Sequence, residues 1–171
     1  MNDIILTKWI GLDITKKLYE EHEKVLKDRF SRAFLSNIRL FDSYCNNEQE
    51  LSLLDNYETD AVFSIVEGGI FASLWDLGAE RQCGLTVDLK QIPIRQETVE
   101  ICDFCNVNPY VSSSKGCLLI SMRNGYDFIH ELNLLNINAV LIGKETNSKD
   151  RVVINGEEKR FLVPRSRKSY F

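Results

Sequence analysis

The segment Ala-Val-Phe-Ser-Ile-Val-Glu-Gly-Gly-Ile-Phe-Ala-Ser-Leu-Trp, residues 61–75, is the strongest indication of architecture in this chain. It begins as an apolar, β-branched run, passes through Gly68 and Gly69, and continues with apolar residues at helical spacing. This order predicts a strand, a tight turn and a helix. Backbone N–H groups crowd together at such a turn, and the helix dipole favours an anion there. The turn is a candidate phosphate or carboxylate cradle; the alternative is glycine required only for close packing of helix on sheet.

Strand and helix patterns alternate on both sides of this segment. Before it we expect a strand over 4–10, one amphipathic helix from Leu12 to Phe30, and helices over 31–44 and 48–56. After it we expect strands over 84–88, 117–122 and 139–143, and helices over 95–105 and 126–135. Asn155-Gly156, between apolar runs, predicts a hairpin. The predicted fold class is α/β or α+β, a mixed β-sheet with helices layered on one face.

Length, charge and cysteine content limit the class of protein. A chain of 171 residues can form one domain, here predicted over 1–165, with a short basic and aromatic tail over 166–171. A net charge of −4 gives no indication of a nucleic-acid surface. No apolar run approaches the roughly 20 residues of a membrane span. Met1-Asn2-Asp3 lacks a basic secretion-signal start, and five cysteines are an odd number, so we expect reduced thiols and a cytoplasmic protein.

Six short motifs follow one another in a family's characteristic order. They are Ile5-Leu-Thr-Lys-Trp-Ile-Gly11, Val66-Glu-Gly-Gly-Ile-Phe-Ala-Ser-Leu-Trp-Asp76, Gly84-Leu-Thr-Val-Asp88, Ile92-Pro-Ile-Arg95, Ser114-Lys-Gly-Cys-Leu-Leu-Ile120 and Ala139-Val-Leu-Ile-Gly143. Through them the chain resembles, over 3–165, the C-terminal domain of the aminoimidazole ribonucleotide (AIR) synthase or PurM-like superfamily. That superfamily includes the hydrogenase maturation factor, to which the chain looks most similar, and thiamine-monophosphate kinase.

The resemblance implies a two-domain arrangement. In the family an N-terminal domain meets the sheet face opposite the helices and supplies most ATP contacts, the metal-binding acids and the dimer interface. This chain begins at Met1, where the C-terminal domain would start, so ATP and magnesium are expected only with a partner that supplies that domain. We therefore expect a non-catalytic binding, accessory or self-associating module, as a homo-oligomer or with a separately encoded N-terminal domain. The alternative is half of an ATP-dependent enzyme that binds a phosphorylated ligand.

The resemblance also selects candidate ligand-binding residues. Family members commonly carry an Asp and a Thr, often with a His, before the paired glycines, where this chain has Phe63, Ser64 and Val66. Phe and Val can neither hold a metal nor donate to a phosphate. The turn itself, Glu67, Gly68 and Gly69, is retained. No catalytic residue is assigned.

A second candidate segment is the loop Ser112-Ser-Ser-Lys-Gly116, which faces the shared cleft in the family. Lys115 can pair with a phosphate there, and Ser113, Ser114 and the Gly116 N–H can donate to it. The alternative interpretation is a solvated turn.

Cysteine motifs give two further expectations. Cys102-Asp-Phe-Cys105 is compatible with zinc or redox chemistry, but a structural zinc site needs four ligands, so two small apolar residues on the buried side of a helix are the favoured interpretation. No metal site is assigned. The hydrogenase maturation factor ends in a cysteine that carries the transferred group, whereas Cys117 is the last cysteine here.

Overall fold

A computed structural model describes residues 1–164. The predicted tail over 166–171, and Arg165 before it, lie outside the described residues. The strands are β1 Asp3–Thr7, β2 Ala61–Ile65, β3 Gly84–Asp88, β4 Ser114–Met122, β5 Ala139–Thr146, β6 Arg151–Asn155 and β7 Glu158–Phe161. The α-helices are α1 Leu12–Glu21, α2 Glu23–Arg29, α3 Arg32–Ser36, α4 Glu48–Leu54, α5 Gly69–Arg81, α6 Gln96–Phe104 and α7 Tyr126–Leu134. Short 3₁₀ helices span Asn37–Tyr44, Leu89–Gln91 and Pro109–Val111.

The strands form one mixed sheet in the order β2-β4-β1-β5-β3-β6-β7. Neighbouring strands are antiparallel except β3 and β6, which run parallel. The predicted hairpin at Asn155-Gly156 connects β6 and β7, with Asn155 opposite Glu158. The predicted mixed α/β sheet is confirmed.

Side-chain alternation divides the sheet into two faces. On the first, which we call the α5 face, Ile70, Leu74 and Leu77 of α5 pack on strand residues such as Ile4 and Leu119. On the second, the α7 face, Phe128 and Leu132 of α7 and Leu54 of α4 pack on side chains of β1, β4 and β5. Helices thus lie on both faces, a more extensive layer than the one-face arrangement expected from sequence, because the alternating apolar residues of β1 and β4 are buried on either side.

A third apolar cluster lies beyond the end of β1. It joins α1, α2, α3, the 3₁₀ helix Asn37–Tyr44 and α6. The single helix expected from Leu12 to Phe30 is interrupted at His22, whose backbone (φ −124°, ψ 26°) leaves the helical region. The helix expected over 31–44 contains only five α-helical residues and continues as a 3₁₀ helix.

The first strand is shorter than its apolar run. It ends at Thr7 because Lys8 takes a left-handed backbone conformation, with φ of 60°, which removes the next residues from the ladder. Among the helices of residues 1–164, none has the length and apolar character needed to cross a membrane.

Candidate functional site

The sequence-predicted site residues meet at one end of the sheet. β4 lies between β2 and β1 and runs antiparallel to both, so it starts at the end of the sheet where they finish. Ser114 at the start of β4 is the register partner of Ile65 at the end of β2. Helices α1 and α5 both begin at this end, directly after β1 and β2. We call this region the strand-end site.

The glycine turn forms one wall of the strand-end site. Gly68 and Gly69 both have positive φ, 96° and 72°, and α5 starts at Gly69. A Cβ atom on Gly69 would lie 2.3 Å from the backbone oxygen of Tyr110 and 2.6 Å from the Cα of Val111. Gly69 is therefore required for close packing of the turn on the segment before β4. The first turn of α5 carries no acidic residue.

The two serines of the predicted loop bond to α1 and the turn before it. Ser114 is buried, and its Oγ accepts a hydrogen bond from the Gly11 N–H at 2.9 Å. The Ser113 hydroxyl donates to Oδ2 of Asp13 at 3.1 Å. These bonds position the start of α1 against β4, so both hydroxyls already have a structural partner.

Lys115 and Gly116 lie in different environments. Lys115 is exposed, whereas Gly116 is buried with φ of 92°. A Cβ on Gly116 would lie 2.4 Å from the backbone oxygen of Tyr44. Gly116 thus allows the 3₁₀ helix to approach β4, and its contacts are separate from those of the glycine turn.

Asp13 belongs to this site although sequence analysis did not select it. It lies in the first turn of α1, where a carboxylate complements the helix dipole. Its Oδ1 atom is buried and accepts no hydrogen bond from any group in residues 1–164. The available signal was an acidic residue two positions after Gly11, at a strand-to-helix junction.

A buried ion pair lies close to the start of β4. The Lys8 ammonium lies 2.9 Å from Oε2 of Glu50, and both side chains are at most 6% exposed. Lys8 also donates to the backbone oxygens of Asn46, at 2.5 Å, and Gly116, at 3.5 Å. The available signal in the sequence was a lysine inside an otherwise apolar run.

The cysteines lie in environments that disfavour the thiolate. Burial raises the pKa of Cys102 to about 11 and that of Cys117 to about 12. Burial also raises the pKa values of Cys45, Cys83 and Cys105. Cys102 packs in the third apolar cluster, and Cys105 packs against it. Within residues 1–164 there is no group of three His, Cys, Asp or Glu side chains suited to a metal ion.

Comparison with known proteins finds similar folds among solved structures. No family model matches the chain, and no curated protein matches it. Among solved structures, E. coli HypE, a hydrogenase maturation protein, matches with a TM-score of 0.74 and 17% identity over 96% of this chain and 50% of that one. The HypE–HypF complex matches with a TM-score of 0.68 and 13% identity over 96% and 53%. Thiamine-monophosphate kinase from Stenotrophomonas maltophilia K279a matches with 0.64 and 18% over 92% and 50%.

These neighbours confirm the resemblance at the level of fold. The hydrogenase maturation factor and thiamine-monophosphate kinase, both named in the resemblance, are among the proteins whose fold this chain shares. The chain spans about half the length of the solved structures that it matches. Because the sequence identities are only 13–18%, the likeness is evidence for a shared arrangement of strands and helices and for nothing more.

Proposed function

We propose that this domain acts by association, as a binding module without a catalytic set of its own, and that it pairs with a second copy. The surface that supports the proposal is the part of the α7 face beyond α7. Within residues 1–164, the apolar cluster under α7 includes no side chain from β3, β6 or β7. Exposed apolar groups on a sheet face favour association, because pairing removes them from water.

Strand register identifies the residues of this surface. Val87 and Val153 pack in the α5-face cluster, so their neighbours along β3 and β6 project to the α7 face. Residues of β5 and β7 that pair directly with α7-face residues of the neighbouring strands lie on the same face. The surface, which we call the open half-sheet, carries Leu141, Lys144, Thr86, Asp88, Val152, Ile154, Lys159 and Phe161, and of these Val152 is buried.

The composition of the open half-sheet favours a second copy as its occupant. Leu141 is 38% exposed and Phe161 57%, which leaves one apolar side chain accessible on β5 and another on the edge strand β7. The same face carries the basic residues Lys144 and Lys159 and the acidic residue Asp88, and the Lys144 ammonium also lies 3.7 Å from Asp3 of the same chain. A two-fold pairing can place the basic groups of one copy near the acidic group of the other, since an isologous interface is self-complementary.

Sedimentation velocity between 5 and 100 µM tests this proposal with the full chain. We expect a concentration-dependent dimer, and we expect Phe161→Glu to weaken it at least tenfold because a carboxylate would be buried at the interface. The matched control is Leu134→Glu, which places the same acid on α7 at a residue that is 70% exposed. A monomer at 100 µM, or equal weakening by both variants, would contradict the proposal.

A second candidate is half of an ATP-dependent enzyme, with the strand-end site binding the phosphate of a ligand. The observation that favours it is the start of α5, whose first turn carries no acidic residue although Glu67 comes just before it. The exposed Lys115 follows Ser114, which is the register partner of Ile65 at the end of β2. One of the fold neighbours is named for the kinase reaction on thiamine monophosphate. Against it, Ser113 and Ser114 already bond within the domain, and α1 begins with its own carboxylate, Asp13.

Calorimetry with ATP, ADP and ribose 5-phosphate, each with and without magnesium, separates this candidate from association. Saturable heat would support it if the association constant falls at least fivefold in Lys115→Ala and stays unchanged in Lys149→Ala. Lys149 is an exposed lysine in the β5–β6 connection and serves as the control. No heat with any of these ligands would exclude phosphate binding by this domain alone.

A further inference from the structure

A large groove opens between α1 and the three short helices that follow it. Its volume is about 1030 Å³, enough for a ligand of nucleotide size. Its wall contains Tyr19 of α1, Lys27 and Phe30 at the end of α2, Arg32 and Leu35 of α3, and Arg39 of the 3₁₀ helix. We call it the basic groove. It belongs to the third apolar cluster and shares no residue with the strand-end site or the open half-sheet.

The apolar part of the basic groove is held in place by its neighbours. The Phe30 ring stacks on Phe34, with centroids 5.0 Å apart and an interplanar angle of 20°. Phe104 of α6 meets the Phe30 ring edge-on at 6.1 Å. Leu35 is only 4% exposed and anchors α3 in the cluster. The Arg29 guanidinium also lies over the Phe30 ring, 5.3 Å from its centroid. Phe34, Arg29 and Phe104 together fix the ring, so the part of it that lines the groove can contact a ligand at little cost in side-chain entropy.

The cations of the groove are not balanced by acids of the groove. None of its lining residues is acidic. Lys27 pairs with Glu23 on α2 at 2.7 Å, but within residues 1–164 neither Arg32 nor Arg39 forms an ion pair with a carboxylate. The whole chain carries a net charge of −4, so this positive concentration is local. Guanidinium groups without a protein partner are suited to bind phosphate or carboxylate through two parallel hydrogen bonds.

We propose that the basic groove binds a small aromatic anion, with its ring against Tyr19 and the edge of Phe30 and its phosphate or carboxylate between Arg32 and Arg39. Ring and charge act together. Contact with the aromatic wall orients the ligand, and the two guanidinium groups hold its anionic end. A ligand that has only the ring or only the anionic group loses the binding energy of the missing group.

NMR titration of the ¹⁵N-labelled full chain with phenyl phosphate tests the proposal, because amide shifts both locate the site and yield the affinity. We expect saturable shifts confined to residues 19–39 and their packing partners. We also expect phenyl phosphate to bind at least tenfold more tightly than inorganic phosphate or phenol. Benzoate in a parallel titration distinguishes a phosphate from a carboxylate preference.

Variants connect the binding to the named arginines. Arg32→Gln/Arg39→Gln keeps two exposed polar side chains and is expected to weaken phenyl phosphate at least tenfold, with Arg39→Gln alone intermediate. Lys24→Gln removes an exposed charge of α2 that does not line the groove, and its affinity is expected to stay within twofold of the original. Shifts outside the groove, equal binding of inorganic phosphate, or unchanged affinity in the arginine variants would each overturn the proposal.

Discussion

Arg81 and Glu145 form a two-contact ion pair that ties the last turn of α5 to β5. Arg81 Nε lies 2.8 Å from Glu145 Oε1, and Nη2 lies 3.3 Å from Oε2. The Glu145 side chain is 4% exposed, and Oε1 also accepts the Ser121 hydroxyl at 2.6 Å. The Glu145 carboxylate is the main cause of the raised pKa of Arg81. Because the carboxylate is buried and the guanidinium is partly exposed, the two partners are not equivalent.

The first prediction follows from this asymmetry. Arg81→Ala leaves a buried carboxylate without its cation, so we expect it to lower the free energy of unfolding by about 3 kcal/mol. Glu145→Gln keeps an acceptor and leaves Arg81 free to turn to water, so a loss of about 1 kcal/mol is expected. Urea unfolding monitored by circular dichroism measures both, with the exposed Arg123→Ala as control. An equal loss in the two variants would show that burial of Glu145 does not govern the pair.

The second prediction concerns the glycine turn. Gly69→Ala combines positive φ with a contact of 2.3 Å to a backbone oxygen, so the segment before β4 must move. Gly156→Ala has a similar φ of 64°, but its Cβ would meet nothing nearer than the Lys90 ammonium at 3.9 Å. We expect about 1 kcal/mol of destabilisation at Gly156 from backbone strain alone and at least 2 kcal/mol more at Gly69. Thermal unfolding of both variants measures the difference, and similar losses would mean that the turn has room to relax.

A third prediction addresses the pair of Lys8 and Glu50. Lys8→Met leaves the Glu50 carboxylate, which is 1% exposed, without its cation. We expect the free energy of unfolding to fall by about 3 kcal/mol. Replacing both residues, as Lys8→Met/Glu50→Leu, removes the buried charges together and is expected to cost less than Lys8→Met alone. Chemical unfolding of the two single variants and the double variant completes the cycle. Additive losses would show that the two groups do not interact.

The cysteines give a prediction on reactivity and pH. With pKa values of about 11 and about 12, Cys102 and Cys117 present very little thiolate, about one part in a thousand or less at pH 8. Iodoacetamide in the native state is therefore expected to modify neither, and to modify both in urea. Since the unfolded chain ionises these thiols at lower pH than the folded one, stability should fall as the pH rises above about 9. Rapid native labelling of Cys117, located by peptide mass, would contradict the buried environment.

Local patterns predicted most elements to within a few residues. The strand over 84–88 matches β3, and the strand, turn and helix of residues 61–81 appear as β2, the Gly68-Gly69 turn and α5. The failures lie where local pattern and tertiary packing differ. Helical spacing continues through His22, yet the third apolar cluster requires the chain to bend there so that α1 and α2 both contribute to it. β1 ends early because Lys8 turns inward to Glu50, a residue 42 positions away.

The strand-end site was predicted in part. Sequence and resemblance selected both of its segments, and strand order brings them side by side. They could not show that Ser114 bonds to Gly11 or that Ser113 bonds to Asp13, because those partners are about a hundred positions away along the chain. The basic groove could not be predicted from the sequence either, because its cations come from three different helices and do not repeat at a regular interval.

The sequence by itself determined the glycine turn, the alternation of strands and helices, and the hairpin at Asn155-Gly156. These depend on side-chain period and on backbone conformations that few residues adopt, both of which are local properties. The tertiary structure alone determined what the glycines at 68 and 69 contact. Gly69 packs on the backbone of Tyr110 because β4 is inserted between β2 and β1. The physical reason is that strand order joins distant segments through burial and hydrogen bonding, and no short window of residues contains both partners.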